Sequence, residues 1–147
     1  MKPPAIHTIK GTRILLVEDN ELNAEIAKTV LEDVGALITR AENGQQALEL
    51  FKEKPAGTFD AILMDLMMPV MGGLEAAQCI RKLEREDAKT VPIIAMTANA
   101  FADDEERSLA AGMDAHISKP LDAEKLIQVI SDICKKRKEH AKGDADI

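Results

Sequence analysis

The sequence has no tryptophan, no tyrosine and only three phenylalanines. Its core must therefore be aliphatic, and it offers no aromatic platform on which single-stranded bases could stack. An excess of positive charge is also missing. The formal net charge is −7 and the pI is near 5.0, which disfavours a phosphate-backbone partner and argues against nucleic acid. Cysteine is scarce: Cys79 and Cys134 lie far apart, lack metal-ligand spacing and read as reduced thiols of a reducing compartment. No apolar run is long enough to span a bilayer. The opening MKPPAIHTIKG lacks the apolar stretch of a secretory signal. No G-x-G-x-x-G follows the first apolar run, which excludes the dinucleotide-binding fingerprint. These absences lead to the expectation of an acidic, cytoplasmic protein that makes no membrane contact.

What is present is an alternation. At 147 residues the chain favours one domain, and a chain of that size can bury roughly 70% of its unfolded surface. RILLVE (13–18) is a near-continuous apolar run of the kind that suits a parallel strand buried on both faces. Residues 21–34 follow with Leu22, Ile26, Val30 and Val34 at four-residue spacing, a helical stripe that Gly35 ends. ALITRA (36–41) reads as a strand, 44–54 as a helix ended by Pro55, and FDAILMD (59–65) as the third strand. A helix over 73–86, a strand over 91–97, a helix over 101–112, a short strand over 115–118 and a last helix from about 122 to 137 complete the pattern. Strict strand–helix alternation implies a parallel sheet with helices on both faces. The expected fold is a flavodoxin-like (βα)5 doubly wound sandwich with strand order 2-1-3-4-5. Residues 1–11 and 139–147 read as tails around a domain spanning 12–138. The KKRK run at 135–138 reads better as cations at a helix C-terminus than as a nucleic-acid patch.

Ligands of open α/β sheets bind outside the carboxyl ends of the strands. Strand one delivers Glu18 and Asp19 there, strand three Asp65, strand four Thr97, and strand five Ser118, Lys119 and Pro120. Strands one and three are neighbours in the expected order, so their three carboxylates should converge. Such carboxylates repel one another, and a hard divalent ion with oxygen ligands, Mg2+ above all, relieves the conflict. With the Thr97 hydroxyl and the Lys119 ammonium, the result is a pocket for a dianionic group with a carboxylate in its middle. That arrangement points to phosphoryl transfer onto a carboxylate. Each residue alone has a plainer explanation: Asp19 or Asn20 as a helix cap, Thr97 as a strand end, Lys119 as a surface charge, Asp65 as a turn residue. It is the ordered set, at the ends of four of five strands, that makes coincidence a poor account.

These residues resemble a response-regulator receiver domain. The matching stretches are ILLVEDNELN (14–23), ILMDLMMPVMGGLEA (62–76), IIAMTANAF (93–101) and GMDAHISKPL (112–121), and their wording is most similar to the receivers of hybrid sensor histidine kinases. The resemblance implies that Asp65 is the phosphoacceptor, charged by a phosphohistidine on a histidine kinase or histidine phosphotransfer protein. It implies that Asp19, Asp65 and the backbone carbonyl of Met67 ligate Mg2+, with Glu18 acting through water. It gives Thr97 and Lys119 the phosphoryl oxygens, and makes the Lys119–Pro120 bond cis. On phosphorylation Thr97 is drawn inward and residue 116 fills the vacated space. The face of the 101–112 helix, the fifth strand and the last helix then changes, and that face is also offered for dimerisation. On this reading the chain is a signalling module, not a turnover enzyme, and its parent protein could be a hybrid kinase.

Two positions depart from the family pattern. Residue 116, usually Tyr or Phe, is His116, which reads either as a pH-sensitive switch or as a partly exposed strand residue. Gly72 stands where Asp is usual, a change that costs only about a few tenths of a kcal/mol if the position caps a helix. Three rival functions each meet an objection in the residues. An Asp-nucleophile phosphohydrolase needs a second Asp two residues after the nucleophile, where this chain has Met67. A degenerate receiver that only binds a partner conflicts with the intact Asp19, Asp65, Thr97 and Lys119. A flavin protein lacks its sandwiching aromatics here. His7, His140 and His116 do not sit on helices of a bundle, so phosphotransfer is expected to run inward, from a partner.

Overall fold

The computed structural model describes residues 9–55, 57–65, 73–84, 86–97, 113–118 and 124–134. Its elements are β1 (Arg13–Val17), α1 (Glu21–Asp33), β2 (Leu37–Ala41), α2 (Gly44–Glu53), β3 (Ala61–Asp65), α3 (Gly73–Arg81), α4 (Glu86–Thr90), β4 (Ile93–Thr97) and β5 (Ala115–Ser118), followed by α5 (124–134). The strands form one parallel sheet of order β2-β1-β3-β4-β5, the expected topology. The expected helix over 101–112 lies outside the described residues.

Apart from Arg13, Asp65 and Thr97 at their ends, the central strands are apolar because both faces are covered. Alternate side chains go to opposite faces. Leu15, Val17, Ile62 and Met64 join one core with Phe51 of α2 and Ile80 of α3. Ile14, Leu16, Leu63 and Met96 join the other with Leu31 of α1 and Leu126 of α5. The few aromatics are used locally: Phe51 and Phe59 stack with ring centroids 6.2 Å apart.

Two elements differ from the sequence reading. In α1, the stripe of larger apolar residues faces outward: Leu22 is 69% and Ile26 50% exposed. The helix packs through Ala24, Ala27 and Leu31 instead, since small side chains let its backbone lie close to the sheet. The single helix expected over 73–86 ends at Arg81, and α4 starts anew at Glu86. Local side-chain bonds stabilise this break. Arg81 Nη1 donates to the Ala88 carbonyl at 3.0 Å, and Lys89 Nζ to the Leu83 carbonyl at 3.2 Å. The Gly57 N–H donates to the buried Asp87 carboxylate at 3.0 Å.

Helix ends carry conventional chemistry. Asn20 Oδ1 accepts from the Asn23 N–H at 2.9 Å, capping α1. Asn43 caps α2 in the same way through the Gln46 N–H at 2.8 Å. At the far end of α1, the Gly35 N–H donates to the Glu32 carbonyl and the Ala36 N–H to the Leu31 carbonyl, the Schellman pattern that calls for a left-handed residue. Gly35 supplies it, with φ +94°. Packing begins ahead of β1: Ile9 is buried in the α1–α5 core, and the Gly11 N–H donates to the Gly35 carbonyl at 2.8 Å. No helix among the described residues is long and apolar enough to cross a membrane.

Candidate functional site

The site begins in the register of two strands. Val17 of β1 stands beside Met64 of β3, so the next residue on each strand, Glu18 and Asp65, arrives at the same level of the carboxyl edge. Both are buried, at 2% and 3% exposure, whereas Asp19 is exposed. Glu18, Asp19 and Asp65 each bring a carboxylate oxygen to within 4.8 Å of the other two. The three acids that the sequence singled out are therefore brought together. Because Asn20 makes the cap, Asp19 is not spent on that role.

Three mutually repelling carboxylates, two of them buried, form an all-oxygen donor set. That chemistry suits a hard divalent cation such as Mg2+ and does not suit a thiophilic metal. The donor set thus fits the ion expected from the sequence.

The remaining expected residues are only partly within view. Thr97 is the last residue of β4, paired in register with Ser118, and His116 of β5 is paired with Ala95. Both strands thus run toward the same edge as β1 and β3. Met67, Gly72, Lys119 and Pro120 lie outside the described residues.

One neighbour was not anticipated. Arg40, next to last in β2, sends its guanidinium to the backbone of the acid pair. Nε and Nη2 donate to the Glu18 carbonyl at 3.2 and 3.0 Å, and Nη2 also reaches the Asp19 carbonyl at 3.3 Å. The adjacent Ala41 carbonyl accepts the Glu18 N–H at 3.1 Å. A faint signal existed in LITRA: Ile38 and Arg40 occupy its half-buried face, and an arginine there needs acceptors.

The comparisons with known proteins agree with this geometry. The family model described as the response regulator receiver domain matches residues 14–131. A hybrid signal transduction histidine kinase of Dictyostelium discoideum is 40% identical over 126 residues, covering 84% of this chain; the chain spans 7% of that relative's length. Among solved structures, the receiver domain of a Pseudomonas aeruginosa sensor histidine kinase, determined with magnesium coordinated in its active-site cleft, superposes with a TM-score of 0.76. It is 37% identical, over 85% of this chain and 98% of that one. The receiver domain of the Saccharomyces cerevisiae response regulator Ssk1, co-crystallised with the histidine phosphotransfer protein Ypd1, gives a TM-score of 0.75. It is 32% identical, over 84% of this chain and 88% of that one. With the acids gathered at the carboxyl edge of a 2-1-3-4-5 sheet and the family model matched over most of the length, this chain belongs to the response regulator receiver domain family.

Proposed function

We propose that the chain is the phosphoacceptor of a two-component phosphorelay and that Asp65 takes the phosphoryl group. The carrying observation is the convergence of Glu18, Asp19 and Asp65 within 4.8 Å on a receiver fold. In the step, an Asp65 carboxylate oxygen attacks phosphorus of a partner phosphohistidine. The new P–O bond gives an acyl phosphate, the P–N bond breaks, and the imidazole leaves with that electron pair. Asp19, Asp65 and the Met67 carbonyl would hold Mg2+ directly and Glu18 through water, and the ion when bound neutralises charge and orients the phosphoryl oxygens. Thr97 and Lys119 supply a hydroxyl and an ammonium to those oxygens. The buried strand position of Asp65 keeps the nucleophile fixed, so positioning supplies much of the rate. Met67 stands where a phosphohydrolase would carry its general acid, so the acyl phosphate is expected to persist rather than turn over rapidly.

The partner reading draws on a separate feature. Leu22 and Ile26 sit one turn apart on the exposed face of α1, directly after the acid pair. An exposed apolar pair beside the phosphoacceptor suits docking of a helical phosphohistidine carrier, as a histidine kinase or phosphotransfer protein presents. Phosphorylation adds about −1.5 to −2 charge at Asp65. On this reading that change passes through Thr97 and His116 to β5, α5 and the helix expected over 101–112, which lies outside the described residues.

Incubation with Mg2+ and acetyl phosphate tests the central claim. Intact-mass analysis should show one added phosphoryl group, absent in Asp65→Asn. Wild type that stays unmodified with both acetyl phosphate and a cognate donor rules the reading out.

A further inference from the structure

We propose that Arg40 is the positioning residue of the acid pair: its guanidinium fixes the backbone of Glu18 and Asp19 so that their carboxylates meet Asp65 around a divalent cation. The inference rests on the metal-site reading above and deepens it.

The segment between β1 and α1 is only Glu18, Asp19 and Asn20, and its peptide groups are held one after another. The Glu18 N–H goes to Ala41 at 3.1 Å, and the Asn20 carbonyl accepts the Ala24 N–H at 2.9 Å. Between these two anchors stand the Glu18 and Asp19 carbonyls, in the short segment that joins β1 to α1. Arg40 takes both. Its Cα lies beside Leu16 in the sheet register, two residues before Glu18, so the side chain runs along the strand to the site edge.

The choice of arginine has a reason. A planar fork with donors in fixed relation can span two carbonyls, whereas a lysine ammonium is a single point on a flexible stem. The charge works in the opposite direction. A cation near a cation site repels the metal, so on electrostatics alone loss of Arg40 should tighten Mg2+. On positioning, loss of Arg40 lets the acid pair drift and weakens Mg2+. The sign of the change separates the two accounts.

The experiment measures Mg2+ affinity of the unphosphorylated, metal-stripped protein by following backbone amide shifts of residues 18–20 and 65 during titration. Wild type is compared with R40Q, R40K, D65N and R13Q. Arg13 bonds Asp60 at the opposite end of β1, at 2.8 Å through its N–H and 3.2 Å through Nε, so R13Q reports a lost arginine pair away from the site. Outer-shell groups that orient metal ligands typically account for about 10–100-fold in affinity. R40Q is expected to bind Mg2+ weaker by about that factor, and R13Q to bind as wild type does. R40K keeps the charge and stem, and so guards against a folding artefact. It is expected to lose about tenfold as well. If R40Q or a folded R40K binds as tightly as wild type, or tighter, while D65N loses Mg2+, the site stands and the role of Arg40 falls. If wild type shows no Mg2+ binding, both fall together.

Discussion

Val17 and Met64 lie side by side in the register of β1 and β3, and this pairing sets the geometry of the site. Each is the last apolar residue before an acid. A slip of one residue between the strands would turn every side chain of one of them to the other face. It would also separate Glu18 from Asp65. The two cores fix that register from both sides, so the energy that builds the sheet is the same energy that holds like charges together.

Holding like charges together should cost stability when no cation is bound. Asp65→Asn removes one charge from the trio at nearly constant shape, relieving at least about 1 kcal/mol of repulsion. The metal-free variant is expected to melt higher than wild type, by about 2–4 °C per kcal/mol for a chain of this size. Mg2+ should reverse the order. At a hundred times its dissociation constant, a ligand stabilises the state that binds it by about 2.7 kcal/mol, and only wild type gains that. A chelator should restore the first order. Paired thermal melts with Mg2+ and with EDTA check it, and melts that keep one order throughout count against a cation at these acids.

Gly35 is a purely structural demand. With φ +94°, it ends α1, and a Cβ there would come within 2.8 Å of Lys10 Cγ and 3.1 Å of Lys10 Cα. A non-glycine residue in such a conformation costs about 1–3 kcal/mol, and the close backbone of Lys10 allows little relief. Gly35→Ala should therefore lower the denaturant midpoint with an unchanged slope. Its Mg2+ affinity should match wild type, since the turn lies at the far end of α1 from Asn20. A variant as stable as wild type would show that this turn is not rigid.

Asp114 carries two bonds at the amino end of the sheet. Its Oδ2 accepts the N–H of the buried Ile93 at 2.8 Å and Arg81 Nη2 at 3.0 Å. Burial pushes the Arg81 guanidinium below its usual pKa, and Asp114 offsets only part of that shift. Asp114→Ala leaves a buried donor and a half-buried cation without this acceptor, a loss of about 2–3 kcal/mol. Asp114→Asn keeps an acceptor for Ile93 and removes only a partly screened ion pair, for a loss of about 1 kcal/mol or less. Chemical denaturation of the two variants should rank them in that order. Equal losses would put the energy in the ion pair rather than in the Ile93 bond.

Much of this molecule is legible before any coordinates, because its signals are strong where burial is complete. ILLV and AILM are apolar on both faces, so β1 and β3 declare themselves, and the acids that follow them stand out against that background. The α1 stripe misleads for a physical reason. Spacing shows that Leu22 and Ile26 share a face, but not which face meets the sheet, and the alanines alongside give the closer approach. The break before α4 is hidden because LERED has good helical propensity. What ends α3 is a set of side-chain bonds from Arg81 and Lys89 to carbonyls that only folding brings near. Arg40 escapes for a related reason. Its half-buried place in LITRA says that it needs acceptors, but the acceptors are backbone carbonyls, which leave no mark in a sequence.

The exposed pair on α1 yields the prediction that separates partner docking from phosphoryl chemistry. Leu22 is 69% exposed, so replacing it should change stability by no more than about 0.5 kcal/mol. If the pair receives a helical phosphohistidine donor, Leu22→Glu places a solvated charge where apolar surface must be dried. Drying an unpaired carboxylate in such a contact costs more than about 1 kcal/mol, and 1.4 kcal/mol is tenfold in affinity. Phosphotransfer from a protein donor should then fall about tenfold at subsaturating concentration. Phosphorylation by acetyl phosphate should continue at the wild-type rate, because a small donor needs Asp65 and its cation but no docking face. Single-turnover assays with the two donors on one protein preparation make the comparison. A parallel loss with both donors would mean that the substitution disturbs the neighbouring acid pair. No loss with either would move the docking surface away from α1.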